Sequence, residues 1–383
     1  TLSNFLICCA YYSLISTLPI YLSTYLNATH GMVGVVLATY AIAAILIRPF
    51  CGFGLDSYGR KTIFLVSLLI YGLIFNIYIF VTSVWFMIAV RFAHGLTWGL
   101  STTSNTTVAG DIIPTEKRGE GFGYFGVTTT AGMALGPVIG STIQHHLGFN
   151  IMFFSGFAVS LVSIILASMI HYPEFHPSKN LKFEWNGLLE RRALIPSLNL
   201  LITSLSYGGL LSFVALFGKE IGIKNPSGFF LIYALGIITT RFTSGKAVDR
   251  NGPRRIIIIC LSMLIVGFPL LALVRNAYGF YFSAVILGFG NGVIWPTFQT
   301  MVNNIVEPSR RGVGNSTVFM SMDLGMGLGM ILAGVISEAF SISSAFILCS
   351  AICACGLVLF LRLTLKHYDK YRRVILESSE VAK

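Results

Sequence analysis

Long apolar runs, each closed off by a short polar turn, make up nearly the whole chain. Twelve of them fall at roughly 3–26, 32–54, 62–81, 85–110, 119–143, 150–170, 193–217, 227–247, 255–274, 278–304, 312–338 and 343–363. Each is close to the ~20 mostly apolar residues that a helix needs to cross a bilayer. The pattern predicts an all-α membrane protein with 12 transmembrane helices. The first run is too long for a cleaved signal peptide and lacks a basic leader. It opens on Thr1, so a short native stretch before it is expected.

The polar turns repeat as well as the runs. "LIRPFCGFGLDSYGRK" (46–61) and "TTRFTSGKAVDRNGPR" (239–254) align at an offset of 193 residues. That offset sets Arg241 on Arg48, Gly245 on Gly52, Asp249 on Asp56 and Gly252 on Gly59. It also sets Tyr233 on Tyr40, "GFGNG" (288–292) on "GLTWG" (95–99), "NIVEPSRRG" (304–312) on "DIIPTEKRG" (111–119) and "GMGLG" (325–329) on "GMALG" (132–136). A duplicated six-span unit accounts for these matches. The expected organisation is an N-terminal six-helix bundle (1–170), a polar cytoplasmic linker (171–192), a C-terminal six-helix bundle (193–365) and a cytoplasmic tail (366–383). Six spans return each half to the same side. The two pseudo-symmetric bundles are therefore parallel repeats, with a substrate site expected between them near the midplane.

Composition supports the membrane reading. Hydrophobic residues make up 55% and charged residues 11%, too few charges to cover a soluble surface of this length. The net charge of +11 would fit a nucleic-acid partner, but its distribution does not. Of the 26 Lys and Arg, Lys219, Lys224 and Arg275 fall on one side and Arg91 within a span, leaving 22 on the opposite side. This is the positive-inside pattern, and it puts both termini in the cytoplasm. A lipid bilayer is the partner it implies, and nucleic acid is excluded. The seven cysteines lie in apolar runs without zinc spacing, and no nucleotide-binding loop or hydrolytic triad appears. No enzyme activity, cofactor or metal is expected.

"GFGLDSYGRK" (52–61) resembles the G-x-x-x-D-x-x-G-R-K loop of the major facilitator superfamily. "RFAHG" (91–95) resembles its fourth-span R-x-x-x-G signature, and "GMALGPVIG" (132–140) its fifth-span antiporter signature, with Ser141 in place of the last glycine. The resemblance covers the whole chain and implies the major facilitator fold, a monomer, and a gating latch at the cytoplasmic face. The latch would use Gly52, Asp56, Gly59, Arg60 and Lys61, with Asp111 and Arg118, to tie the halves in one state and release them in the other. Asp249 and Arg254 belong to the second copy, which is expected to be weaker, since Pro253 and Asn304 replace Arg60 and Asp111.

Gly132, Gly136 and Gly140 recur every four residues, a small face for close helix approach, and Pro137 can bend that helix. The resemblance adds that this face seals a leak in an antiporter.

Charge inside a span costs about 2.5–3.5 kcal/mol at the bilayer centre, so the two main exceptions are functional candidates. Asp323 lies near the midplane of span eleven, and Arg91 lies in span four. Asp323 is read as the site that binds and releases a proton. Arg91 is either its tuner or a substrate contact, and His94 a possible participant. The competing reading is an Asp held structurally within the bundle.

Arg91, His94, Trp98 and Asn105 form a polar stripe on span four, and Asn291, Trp295 and Gln299 another on span ten. By the family's fold these line a central cavity, to which Tyr11, Tyr12 and Tyr207 add aromatic surface. The resulting expectation is a secondary active transporter of the bacterial inner membrane. It would work by alternating access and export a small organic molecule in exchange for protons. The alternatives are a proton symporter taking up a sugar or organic acid, and a non-transporting sensor on a transporter fold.

Overall fold

The structure is a computed structural model. It describes residues 1–113, 118–172, 189–251, 253–306 and 311–372. The side chains at 49, 52–53, 56–58, 118–123, 242–251 and 311–312 lie outside that description.

The described residues are helical almost throughout and contain no strand. Residues 2–168 hold α1 (Leu2–Tyr25), α2 (His30–Tyr58), α3 (Arg60–Ile77), α4 (Val84–Ile112) and α5 (Arg118–Ser168). Residues 194–372 hold α6 (Leu194–Glu220), α7 (Gly228–Asn251), α8 (Pro253–Leu273), α9 (Ala277–Asn291), α10 (Ile294–Ile305), α11 (Arg311–Ala339) and α12 (Ile342–Leu359). Among the described residues, nine helical stretches are long and apolar enough to cross a membrane. One of them, Tyr124–Ser168, has 45 residues, twice what a crossing needs. It turns at Gly148, whose φ of 86° only glycine adopts freely, so it crosses twice. α4 and α7 complete the twelve crossings, with α9 and α10 together making one.

The duplication is visible in the packing. A side chain at Gly95 would collide with the Tyr40 carbonyl, and one at Gly288 with the Tyr233 carbonyl, the same contact 193 residues on. Gly132 lies against Cys8 and Gly325 against Leu201; Gly136 lies against Tyr12 and Gly329 against Leu205. The small-residue face of α5 therefore seats α1, and that of α11 seats α6, as close approach requires. The caps follow the same register. Ser83 accepts from the Phe86 N–H to start α4, and Asn276 accepts from the Gly279 N–H to start α9.

The two halves meet along three lines. α2 runs against α11, α5 against α7, and α1 against α6. At the α2–α11 line, a Cβ at Gly34 would sit 2.5 Å from the Met330 carbonyl, and one at Gly334 2.7 Å from that of His30. The Gly31 N–H donates to Glu338 Oε2 at 2.7 Å, closing the end remote from the basic turns.

Candidate functional site

Asp323 sits near the middle of α11 and is 7% exposed. Its partner is Arg48 of α2, with Nη2 and Oδ2 2.7 Å apart. Sequence reasoning looked to Arg91 for that partnership; the structure supplies Arg48, because α2 and not α4 packs on α11. Arg48 also donates to Thr103 Oγ1 at 3.4 Å and lies 5.9 Å from the centre of the Phe319 ring. The ion pair therefore bridges the halves within the bilayer.

A second contact completes the picture. Arg241 of α7 donates to Thr130 Oγ1 of α5 at 2.7 Å and to the Gly126 carbonyl at 3.4 Å, while its Nε donates to the Gly292 carbonyl at 3.1 Å. Arg241 is the repeat mate of Arg48, and Thr130 is the repeat mate of Asp323. The molecule writes one interhalf clasp twice, once as an ion pair and once as a hydrogen bond to a hydroxyl. Neither arginine stood out in the sequence as a site residue. Their shared register was the signal that could have found them.

Arg91 lies deep in the first half, 1% exposed, with its guanidinium carbon 4.0 Å from the centre of the Tyr40 ring. His94 is fully buried, and its Nδ1 is 3.0 Å from the Tyr78 hydroxyl. Tyr11 stacks on Trp98 at 4.3 Å and on Tyr40 at 5.3 Å, so α1, α2 and α4 share one aromatic cluster. Tyr71 joins it from α3, 4.4 Å from the His94 ring. Tyr12 and Tyr207 are half-buried, and the Tyr207 hydroxyl donates to Met133 Sδ of the other half at 3.2 Å.

Other expected cavity residues are engaged elsewhere. Asn105 donates to Asn4 Oδ1 at 2.9 Å, and Asn4 in turn donates to Thr128 and Thr129. This chain joins α1, α4 and α5, so Asn105 is a tie within the first half. Asn291 donates back to the Leu287 carbonyl at 3.3 Å. Trp295 faces Phe319 with ring centres 5.6 Å apart, and Gln299 is half-buried one turn further along α10.

At the basic end, Gly59 makes the turn from α2 to α3 with φ 89°. Arg60 pairs with Asp111 at 2.5 Å. That pair joins α3 to α4 inside the first half, whereas the latch reading had it tying the halves together. Lys61 lies 5.7 Å from the centre of the Tyr172 ring, and Arg254 is exposed. Gly52, Asp56, Arg118 and Asp249 lie outside the described side chains. Gly132, Gly136 and Gly140 all meet α1, at Cys8, Cys9 and Ser13, with Pro137 buried beside them. No group of three metal-ligating side chains occurs among the described residues.

Comparison with known proteins agrees with this architecture. The chain is 22% identical over 339 residues to the staphylopine export protein of Staphylococcus aureus, covering 85% of each chain. It is 22% identical over 344 residues to a multi-drug resistance efflux pump PmrA homolog of Lactococcus lactis, covering 85% of this chain and 82% of that one. Its fold matches the crystal structure of the nucleoside transporter NupG with a TM-score of 0.73 at 17% identity, covering 94% of this chain and 96% of that one. The sequence profile of the Major Facilitator Superfamily matches residues 1–232 and 227–377, so the chain belongs to that superfamily of membrane transporters.

Proposed function

We propose that the protein exports a small organic molecule in exchange for protons, and that Asp323 is the group that carries the proton. The observation behind this reading is the Arg48–Asp323 ion pair, 2.7 Å long and almost sealed from solvent, on the line where the two halves meet. Protonating the carboxylate removes the anion that holds Arg48. Breaking one partner of a buried pair is worth about 3–5 kcal/mol, enough to bias two packed arrangements. Proton binding would thus loosen α2 from α11, and proton loss would close them again. Alternating access follows if the halves rock about this line. The positive-inside pattern orients the basic end, and both termini, toward the cytoplasm.

Export is preferred to uptake for two reasons. The relatives above are an export protein and an efflux pump homolog. The glycine–proline face of α5 also seats α1 tightly beside Tyr11 and Tyr12. The charged turn at the basic end would act by bracing the first half through Arg60 and Asp111.

The test is tolerance to a panel of toxic compounds in an export-deficient bacterial host, comparing wild type with Asp323→Asn. Protection by wild type alone supports proton-driven export and identifies the substrate class. Equal protection by both removes Asp323 from the coupling step. If neither protects while both reach the membrane, export fails and uptake of labelled sugars and organic acids is the reading to measure.

A further inference from the structure

Among the buried polar atoms of the first half that make no hydrogen bond, six lie in one cluster. They are the three guanidinium nitrogens of Arg91, His94 Nε2, and the hydroxyls of Tyr40 and Tyr71. The Tyr40 and Tyr71 hydroxyls approach one another, and Arg91 approaches the Tyr78 hydroxyl, without reaching hydrogen-bond geometry. All of these residues are at most 2% exposed. Arg91 cannot shed its proton to become neutral. The face of Tyr40 attracts its charge but offers no acceptor to its N–H groups. The intramembrane acid Asp323 pairs with Arg48 instead.

The second half shows that packing does not require Arg91, His94, Tyr71 or Tyr78. At the same register stand Leu264 for Tyr71, Leu271 for Tyr78, Ala284 for Arg91 and Leu287 for His94, all at most 1% exposed. The surrounding contacts are otherwise alike, down to Gly95 on Tyr40 and Gly288 on Tyr233. The second half fills four of these positions with hydrocarbon and keeps only a hydroxyl, that of Tyr233 at the place of Tyr40, whereas the first half holds a cation and a ring of donors. Buried donors without acceptors are rare, and an isolated buried charge is strongly unfavourable.

We propose that this cluster is an anion-binding pocket for a carboxylate head, with Arg91 as the fork that holds it. The guanidinium presents planar N–H donors that match the two oxygens of a carboxylate. The Tyr40 and Tyr71 hydroxyls and His94 supply further donors around it. One fixed positive charge balances a single negative one, which favours a carboxylate over a doubly charged phosphate. Tyr11 and Trp98, stacked 4.3 Å apart, wall the cluster on the α1 side, and Trp98 is half-buried. Their parting would admit the head and leave an aromatic surface for an organic body. That the body belongs to the transported molecule rests on the export reading; the pocket itself does not.

The experiment uses the purified full chain in detergent. Thermal unfolding and tryptophan fluorescence are followed with benzoate, with its neutral counterpart benzamide, and with acetate. Benzoate is expected to raise the unfolding temperature saturably while benzamide does not. Arg91→Gln should weaken the apparent benzoate affinity at least about tenfold, the loss of a charged hydrogen bond. Arg91→Lys should fall between them, and Trp98→Phe should remove the fluorescence response. A much weaker response to acetate assigns the pocket to an organic anion; an equal one supports the pocket with a free carboxylate as its source. If wild type responds no more to benzoate and acetate than to benzamide, the proposal is overturned, whatever the variants do. Failure of wild type to export while it still binds benzoate would sink the transport reading alone.

Discussion

Arg48 and Arg241 stand at one register position in the two halves, and each reaches the same partner position in the other half. Arg48 meets the Asp323 carboxylate there, and Arg241 meets the Thr130 hydroxyl. Only the first contact can be switched by a proton. Breaking a buried ion pair from one side costs about 3–5 kcal/mol, while replacing both partners with hydrocarbon is often neutral. Arg48→Met and Asp323→Leu are therefore each expected to lower the unfolding temperature, and the double variant to recover most of that loss. Plain additivity of the two changes in thermal unfolding would show that the pair carries no coupling. Thr130→Val should cost less, about 1.5–3 kcal/mol, because it removes one hydrogen bond to a charged group.

At the scale of the helix, the glycines of α5 and α11 set how closely α1 and α6 approach. A Cβ at Gly329 would overlap the backbone of Leu205, which cannot swing aside as a flexible side chain can. Gly329→Ala is expected to destabilise by about 1–3 kcal/mol, the range for overpacked cores. Gly54→Ala provides the contrast. Its Cβ would have its nearest neighbour, Ile63 Cδ1, at 3.9 Å, so the change should be neutral or stabilising by up to ~1 kcal/mol. Thermal unfolding in one detergent measures both; equal losses would mean that helix approach is not what the α11 glycines decide. α4 obeys a different constraint. It is absent from the strongly apolar stretches because its inward face carries Arg91, His94, Thr97, Ser101, Ser104 and Asn105, all buried by neighbouring helices and kept from lipid.

Across the whole molecule, the asymmetry of the two clasps predicts asymmetric pH dependence. If Asp323 carries the proton as proposed, acidification frees Arg48, so the α2–α11 line should open while the α5–α7 line does not respond through its clasp. Spin labels at the exposed positions Leu46 and Leu324 would report the first line, and labels at Val127 and Leu235 the second. The first distance is expected to lengthen as pH falls and the second to stay constant. In Asp323→Asn the pH response of the first should vanish. A response that persists in that variant would place the titrating group elsewhere. Thr130→Asp should, conversely, make the second line respond to pH by giving Arg241 a carboxylate.

Much of this was legible before any coordinates. Run length and hydropathy determined the helical spans, because a bilayer of fixed thickness admits few alternatives. The 193-residue offset determined the duplication, and the caps and glycine contacts keep that register in three dimensions. Asp323, Arg91 and His94 stood out because charge inside a span is expensive. Which of them meet was not legible. A helix period says which residues share a face, but not which helix that face touches. The α2–α11 contact gave Asp323 to Arg48, the α3–α4 contact gave Asp111 to Arg60, and the closing of three helices around Arg91 left it without an acceptor. The sequence by itself determined where the charges lie along each helix; only tertiary packing decided which were paired, because an ion pair forms across helices over a few ångströms.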